Sequence, residues 1–153
     1  MADVTLHADE RIDQLYSQDI QIIQSSQVFA FSLDAVLLGD FAQVAKGVKS
    51  QIVDLCAGNG AVGLFASAKT QGHITAVEIQ PRLADMAQRS VVLNDLTQQM
   101  TVLNEDLLAI TRQLPKDSVD TVLCNPPYFK DRPQSVKNPN PHLRLHGMNC
   151  PLI

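Results

Sequence analysis

Four short apolar runs between Ser50 and Tyr128 each break off on a glycine, an acid or an amide, and a helix-like stretch follows each of the first three. The runs are QIVDLCAG, HITAVEI, MTVLNEDL and SVDTVLCNPPY. Runs this short, apolar and bounded by turn residues read as buried strands. The intervening stretches AVGLFASAKT, PRLADMAQRSVVLNDL and LLAITRQL read as helices, the first closed by Gly72. The second opens on Pro81, which suits a first helical position, and carries Leu83, Met86, Ala87 and Val91 on one face. Strands alternating with helices imply βαβ units, right-handed crossovers and a parallel sheet.

Upstream, Leu15 to Gln24 alternates around Ile20 and Ile22 and has Asp19 at a turn, which predicts a short β-hairpin. The stretch FAFSLDAVLLGDFAQVAKG predicts a helix capped by Ser32 and stopped by Gly47, with an apolar face at Val36, Leu37, Phe41 and Val44. After Tyr128 the sequence holds four prolines and no sustained period, so loop or disorder is expected. This divides the chain into a hairpin and helix over 1–48, an α/β core over 49–130 and an irregular tail over 131–153.

Composition excludes several classes. A chain of 153 residues suits one domain with one sizeable core. No apolar run approaches the ~20 residues of a membrane span. The polar start MADVTLHADERIDQ lacks the apolar centre of a signal peptide, so a cytoplasmic protein with no membrane partner is expected. Cys56, Cys124 and Cys150 form no Cys-x-x-Cys pair, and the four histidines show no ligand spacing, so neither a disulfide framework nor a metal is expected. Cys56 and Cys124 lie in apolar runs and read as small buried side chains. The net charge of −4 gives no support for tight non-specific nucleic-acid binding. From Tyr128 onward, Lys130, Arg132, Lys137 and Arg144 face only Asp131, a basic stretch that suits either a phosphate backbone or solvent.

Ligands of open parallel sheets bind at the carboxyl ends of the strands. Four places therefore stand out. Asp54 to Gly60 is a glycine-rich turn that lets backbone approach a ligand or simply turns into a helix; it is not the GxGxxG of dinucleotide enzymes. Glu78 ends the next strand, where a carboxylate accepts from two ribose hydroxyls or lies exposed. Asp106 is placed to accept from an adenine amine or to cap the following helix, and both roles are compatible; Glu105 is its neighbour. Asn125-Pro126-Pro127-Tyr128 cannot continue a central strand, because two prolines lack N–H groups. The stiff loop is either an ordinary rigid turn or one that aims the Asn125 amide oxygen and the Pro126 carbonyl at one point, which suits the two hydrogens of an –NH2 group. Tyr128 offers a ring face for stacking.

In this order and spacing, DLCAGNGAVGL, AVEIQ, NEDLL and NPPY resemble the class I S-adenosylmethionine-dependent methyltransferases that modify amino nitrogens, over about residues 28 to 135. The resemblance implies an α/β, Rossmann-like, mostly parallel sheet with an N-terminal hairpin and helix, and S-adenosyl-L-methionine as cofactor. It implies a pocket formed by Asp54, Cys56, Gly58, Asn59 and Gly60, by Glu78 and Ile79, by Asp106 and Leu107, and by Asn125. Asn125, Pro126, Pro127 and Tyr128 would hold the target amine. FAFSLDAVLLGDFA and NPPYFK look like the tRNA1(Val) adenine-37 N6-methyltransferase family, in which the segment matching Phe31 to Asp34 lies over the cofactor; core packing is the alternative for Phe29 and Phe31. The implied substrate is RNA, a tRNA adenine first. The alternatives are the glutamine-N5 methyltransferases of release factors, and a cofactor-binding remnant without activity. HLRLHGMNCPLI does not resemble the family's continuation, so the sheet is expected to stop after its fourth strand, truncated and open at an edge that a second copy or a partner would cover.

Overall fold

A computed structural model describes residues 4–15, 19–28 and 31–127. Two strands, β1 (Glu10–Leu15) and β2 (Ile20–Ser25), pair antiparallel. Helix α1 spans Leu33–Phe41. Then β3 (Gln51–Leu55), α2 (Ala61–Ser67), β4 (His73–Val77), α3 (Pro81–Leu93), β5 (Met100–Leu103), α4 (Leu107–Gln113) and β6 (Thr121–Cys124) follow. The last four strands form one parallel sheet in the order β5-β4-β3-β6. The chain moves outward from β3 through β4 to β5, then returns to place β6 on the other side of β3. That reversal makes the ends of β3 and β6 the switch point, where such sheets open a crevice.

The period-two alternation of β3 explains the layering. Ile52 joins Ile74, Ala76 and Met100 in a core under α1 and α2. Val53 and Leu55 join Val77, Leu103 and Ile110 under α4. All seven residues of α2 are buried between the sheet and α1. Helix α3 buries Leu83, Met86, Ala87 and Val91 as its periodicity predicts, and Leu83 and Met86 pack on Ile23 and Val28 of the hairpin region.

The hairpin begins at Glu10, earlier than the alternation at Leu15 suggests. Its first strand is polar, so pairing with β2 defines it better than apolar content does. The outer edge of β2 is satisfied by α3 side chains: the Ile23 N–H donates to Ser90 Oγ (3.0 Å), the Gln21 N–H donates to Asn94 Oδ1 (2.8 Å), and Asn94 Nδ2 donates back to the Gln21 carbonyl (2.6 Å). Bidentate pairing of Arg89 with Glu10 (2.6 and 2.8 Å) adds an ionic clamp. An Arg82–Asp9 pair lies beside it.

Helix α1 corrects two expectations. It ends at Phe41, well before Gly47, because Ala42 turns extended. Leu37 and Phe41, expected inside, are 54% and 85% exposed, whereas Ala35 and Gly39 are buried. The cause is close approach: a Cβ on Gly39 would lie 2.5 Å from the Phe65 Cβ. No side chain fits at Gly39, so Leu37 and Phe41 project outward while Val36 and Leu38 pack at the margin of the core. No helix among the described residues is long and apolar enough to cross a membrane.

Candidate active site

The turn after β3 is shaped by its backbone. Cys56, Gly58 and Gly60 all have positive φ (56°, 58° and 87°). The Ala57 N–H donates to the Val77 carbonyl at 3.0 Å, and the Gly60 N–H donates back to the Ala57 carbonyl at 2.9 Å. The two glycines serve different ends. A Cβ on Gly60 would sit 3.1 Å from the Ala87 Cβ, so this glycine lets α2 approach α3. A Cβ on Gly58 would meet nothing within 4 Å. Gly58 therefore faces open space, and its positive φ is the reason for glycine there.

Glu78 at the end of β4 supports this turn. It is 5% exposed. Its Oε2 accepts from the Gly58 N–H and its Oε1 from the Gln80 N–H, both at 2.8 Å. Burial pushes the carboxyl up, opposed by the hydrogen bonds from Gln80 and Gly58. Each carboxylate oxygen has two lone pairs, so Glu78 retains capacity for further donors. Ile79 beside it is 61% exposed. Asn104 Nδ2 fixes the same strand end by donating to the carbonyls of Glu78 (2.8 Å) and Ile79 (3.0 Å).

Asp54 and Asn59 lie within the turn's foundations. Asp54 is fully buried; its Oδ2 accepts from the Gly63 N–H at 2.9 Å, and its Oδ1 has no partner among the described residues. Burial pushes this carboxyl up to about 8. It braces α2 from below the turn. Asn59 is 4% exposed, and its Nδ2 donates to the Ile23 carbonyl (3.1 Å) and to Gln24 Oε1 (3.3 Å). The same Gln24 oxygen accepts from the Phe31 N–H at 3.4 Å. Gln24 thus joins the glycine turn to the start of the 31–34 segment. Sequence reading missed Gln24, because a glutamine in a hairpin reads as a solvated position; here it is 3% exposed.

The remaining positions divide. Phe31 meets the Phe65 ring edge-on, with centroids 6.5 Å apart at 83°, so it packs at the margin of the core. Asp34 lies exposed in the first turn of α1. Asp106 caps α4, its Oδ1 accepting from the Leu108 N–H at 2.7 Å, and Glu105 beside it is exposed. Leu107 packs with the core under α4. Register pairs Leu55 with Cys124, so Asn125, Pro126 and Pro127 leave β6 alongside the glycine turn. All three are half-buried. Cys56 and Cys124, expected buried, are half-buried as well, because they stand at the ends of β3 and β6. Tyr128, Phe29 and the basic tail lie outside the described residues.

A parallel sheet with a glycine turn, an acid and an Asn-Pro-Pro loop around one switch point defines the Rossmann-like methyltransferase architecture. Among solved structures, a SAM-dependent methyltransferase of Agrobacterium tumefaciens aligns with a TM-score of 0.59 at 18% identity, covering 82% of this chain and 42% of that one. TrmN of Thermus thermophilus aligns with a TM-score of 0.51 at 22% identity, over 61% of this chain and 27% of that one. These likenesses establish the fold. The family model "Methyltransferase small domain" matches residues 20–139, and the chain belongs to that family. Curated relatives include the tRNA1(Val) (adenine(37)-N6)-methyltransferases of Aliivibrio fischeri, 36% identical over 69% of this chain, and of Shewanella baltica, 29% identical over 71%. The chain spans 44% and 45% of those two proteins.

Proposed function

We propose that the chain binds S-adenosyl-L-methionine and carries the target-amine motif of an N-methyltransferase acting on an exocyclic amine, adenine N6 in a tRNA foremost. The supporting observation is the juxtaposition at the switch point: open Gly58, buried Glu78 and exposed Ile79 on one side, Asn125-Pro126-Pro127 on the other. The relatives' names and the family assignment favour the same chemistry.

The residues fit the cofactor. Gly58 leaves room for a ligand to approach the backbone. Glu78 is held with spare acceptor capacity for ribose hydroxyls, and Ile79 offers an apolar surface beside it for a flat base. When bound, S-adenosylmethionine supplies an electrophilic methyl group on a sulfonium. Asn125 and the Pro126 carbonyl accept the two hydrogens of the target amine. An adenine amine is a poor nucleophile because its lone pair is delocalised into the ring. Holding both hydrogens makes the nitrogen more tetrahedral and stabilises the positive charge that grows on it. No strong base is needed beforehand, since the proton becomes acidic after transfer. Positioning of this kind supplies several kcal/mol, up to about 7–11 in the best-oriented cases. Tyr128, next in sequence, supplies a stacking face for an unpaired base.

β6 is the outer strand of the described sheet, and its Val122 is 58% exposed. A second copy or partner covering this edge, and a cytoplasmic setting among tRNAs, complete the reading. The test is incubation with methyl-labelled S-adenosylmethionine and total tRNA, rRNA or a release factor. Label recovered as N6-methyladenine in tRNA is expected. Label in release factor points to glutamine. Binding without transfer to anything makes the chain a cofactor-binding remnant.

A further inference from the structure

Among the described residues, four non-glycine positions have φ in the left-handed region: Asp19, Cys56, Asp95 and Asp117. Aspartate tolerates this region through local hydrogen bonding of its short side chain. Cysteine has no such excuse, so backbone conformation alone does not account for Cys56.

The side chain finds its partner across the strand pair. β3 and β6 are paired with Leu55 opposite Cys124, so Cys56 leaves β3 one residue beyond that pairing. The register brings the two residues to one end of the strand pair, and the neighbouring Cys56 thiol holds the Cys124 thiol down at about 7 against the opposing effect of burial. A thiol in that range is substantially ionised at neutral pH and nucleophilic. Asp54, whose carboxyl is raised by burial and further by the charge of Cys124, is held largely protonated and opposes the thiolate only weakly. Both cysteines are half-buried, so neither is sealed from a small reagent.

We propose that Cys56 and Cys124 are a modification site: a dithiol that low-molecular-weight disulfides convert reversibly into an intramolecular disulfide across the mouth of the cofactor crevice. The Cys124 thiolate attacks one sulfur of the reagent, RS–SR, and expels RS⁻. The Cys56 thiol then loses its proton, attacks Cys124 Sγ of the mixed disulfide and expels the second RS⁻. The protein gives up two protons and two electrons, and the reagent leaves as two RSH. The new bond ties the turn before Gly58 to the residue before Asn125. Formation of this bond is independent of the methyltransferase reading; its effect on the cofactor rests on that reading.

The experiment treats the full chain with oxidised glutathione, then digests it with trypsin without reduction. The three cysteines fall in separate tryptic peptides, 50–69, 117–130 and 145–153. The expected product joins the first two, has lost about 2 Da as two hydrogens, and reverts with dithiothreitol. A crosslink to Cys150 instead, or glutathione remaining on Cys124 with Cys56 free, overturns the proposal. In a Cys150→Ser chain, oxidation should weaken S-adenosylmethionine binding by about tenfold or more in calorimetry. The added variant Cys124→Ser should not respond to the oxidant. Unchanged affinity in the crosslinked protein overturns the gating effect. If even the reduced chain binds no cofactor, the methyltransferase reading fails while the peptide map still decides the thiol pair.

Discussion

The Gly58 N–H donates to Glu78 Oε2 at 2.8 Å, so the acid that ends β4 holds the glycine turn that ends β3. The other oxygen of Glu78 holds the head of α3 through the Gln80 N–H. One buried side chain therefore sets the geometry of the turn before any ligand arrives. This makes Glu78 both a brace and a candidate ligand, and the two roles separate experimentally.

Glu78→Ala leaves two backbone N–H groups without their acceptor in a buried site. It should cost ~1–3 kcal/mol of stability, read as a lower urea midpoint. Glu78→Gln keeps one acceptor oxygen and turns the other into a donor facing an N–H, so its loss should fall between wild type and Ala. Equal midpoints for all three chains contradict the bracing role.

Asp54 predicts the shape of stability against pH. Its folded-state carboxyl is raised from the ordinary 3.8 to about 8. Between those values the folded chain holds a proton that the unfolded chain has released. Stability from this group is complete below the lower value and is lost as pH rises through the upper one. The slope is at most about 1.4 kcal/mol per pH unit. Asp54→Asn should flatten the fall in melting temperature between about pH 5 and about pH 8; an unchanged profile rejects the assignment.

Gly39 is predicted to be intolerant of any side chain. A Cβ there falls 2.5 Å from the Phe65 Cβ, on a residue whose own Cβ cannot rotate away. Gly39→Ala gains helix propensity of up to ~1 kcal/mol, but overpacking of ~1–3 kcal/mol should win. A midpoint equal to or above wild type would show that α1 and α2 separate more easily than their packing implies.

Gln24 and Asn59 should be energetically coupled, because one Gln24 oxygen accepts from both Asn59 Nδ2 and the Phe31 N–H. Gln24→Met and Asn59→Ala should together cost less than the sum of the single changes, with a coupling of ~0.5–3 kcal/mol in a double-mutant cycle. Additive costs would mean the two ends of the link act independently.

These cases show what the sequence carries and what it conceals. Strand–helix alternation from Gln51 onward yields the parallel sheet, and the break at each strand end points to Gly58, Glu78, Asp106 and Asn125. Those signals are local: a glycine, an acid or a proline pair imposes itself on its own neighbourhood. The misread features are tertiary. The apolar spacing of Leu37 and Phe41 looks like a core face, yet both lie exposed and the approach to Phe65 leaves no room for a side chain at Gly39. Gln24 resembles a solvated strand residue until Asn59, 35 positions away, reaches it. Cys56 and Cys124 read singly as small apolar side chains, because only the β3–β6 register brings them together.

The cofactor site is the centre of the account, and calorimetric titration of S-adenosylmethionine into the purified chain tests it most directly. The wild-type chain should bind one equivalent, and Glu78→Ala should bind about tenfold more weakly or worse. No binding to the wild-type chain, or equal affinity in the two proteins, would contradict the assignment of the β3 and β4 strand ends to the cofactor.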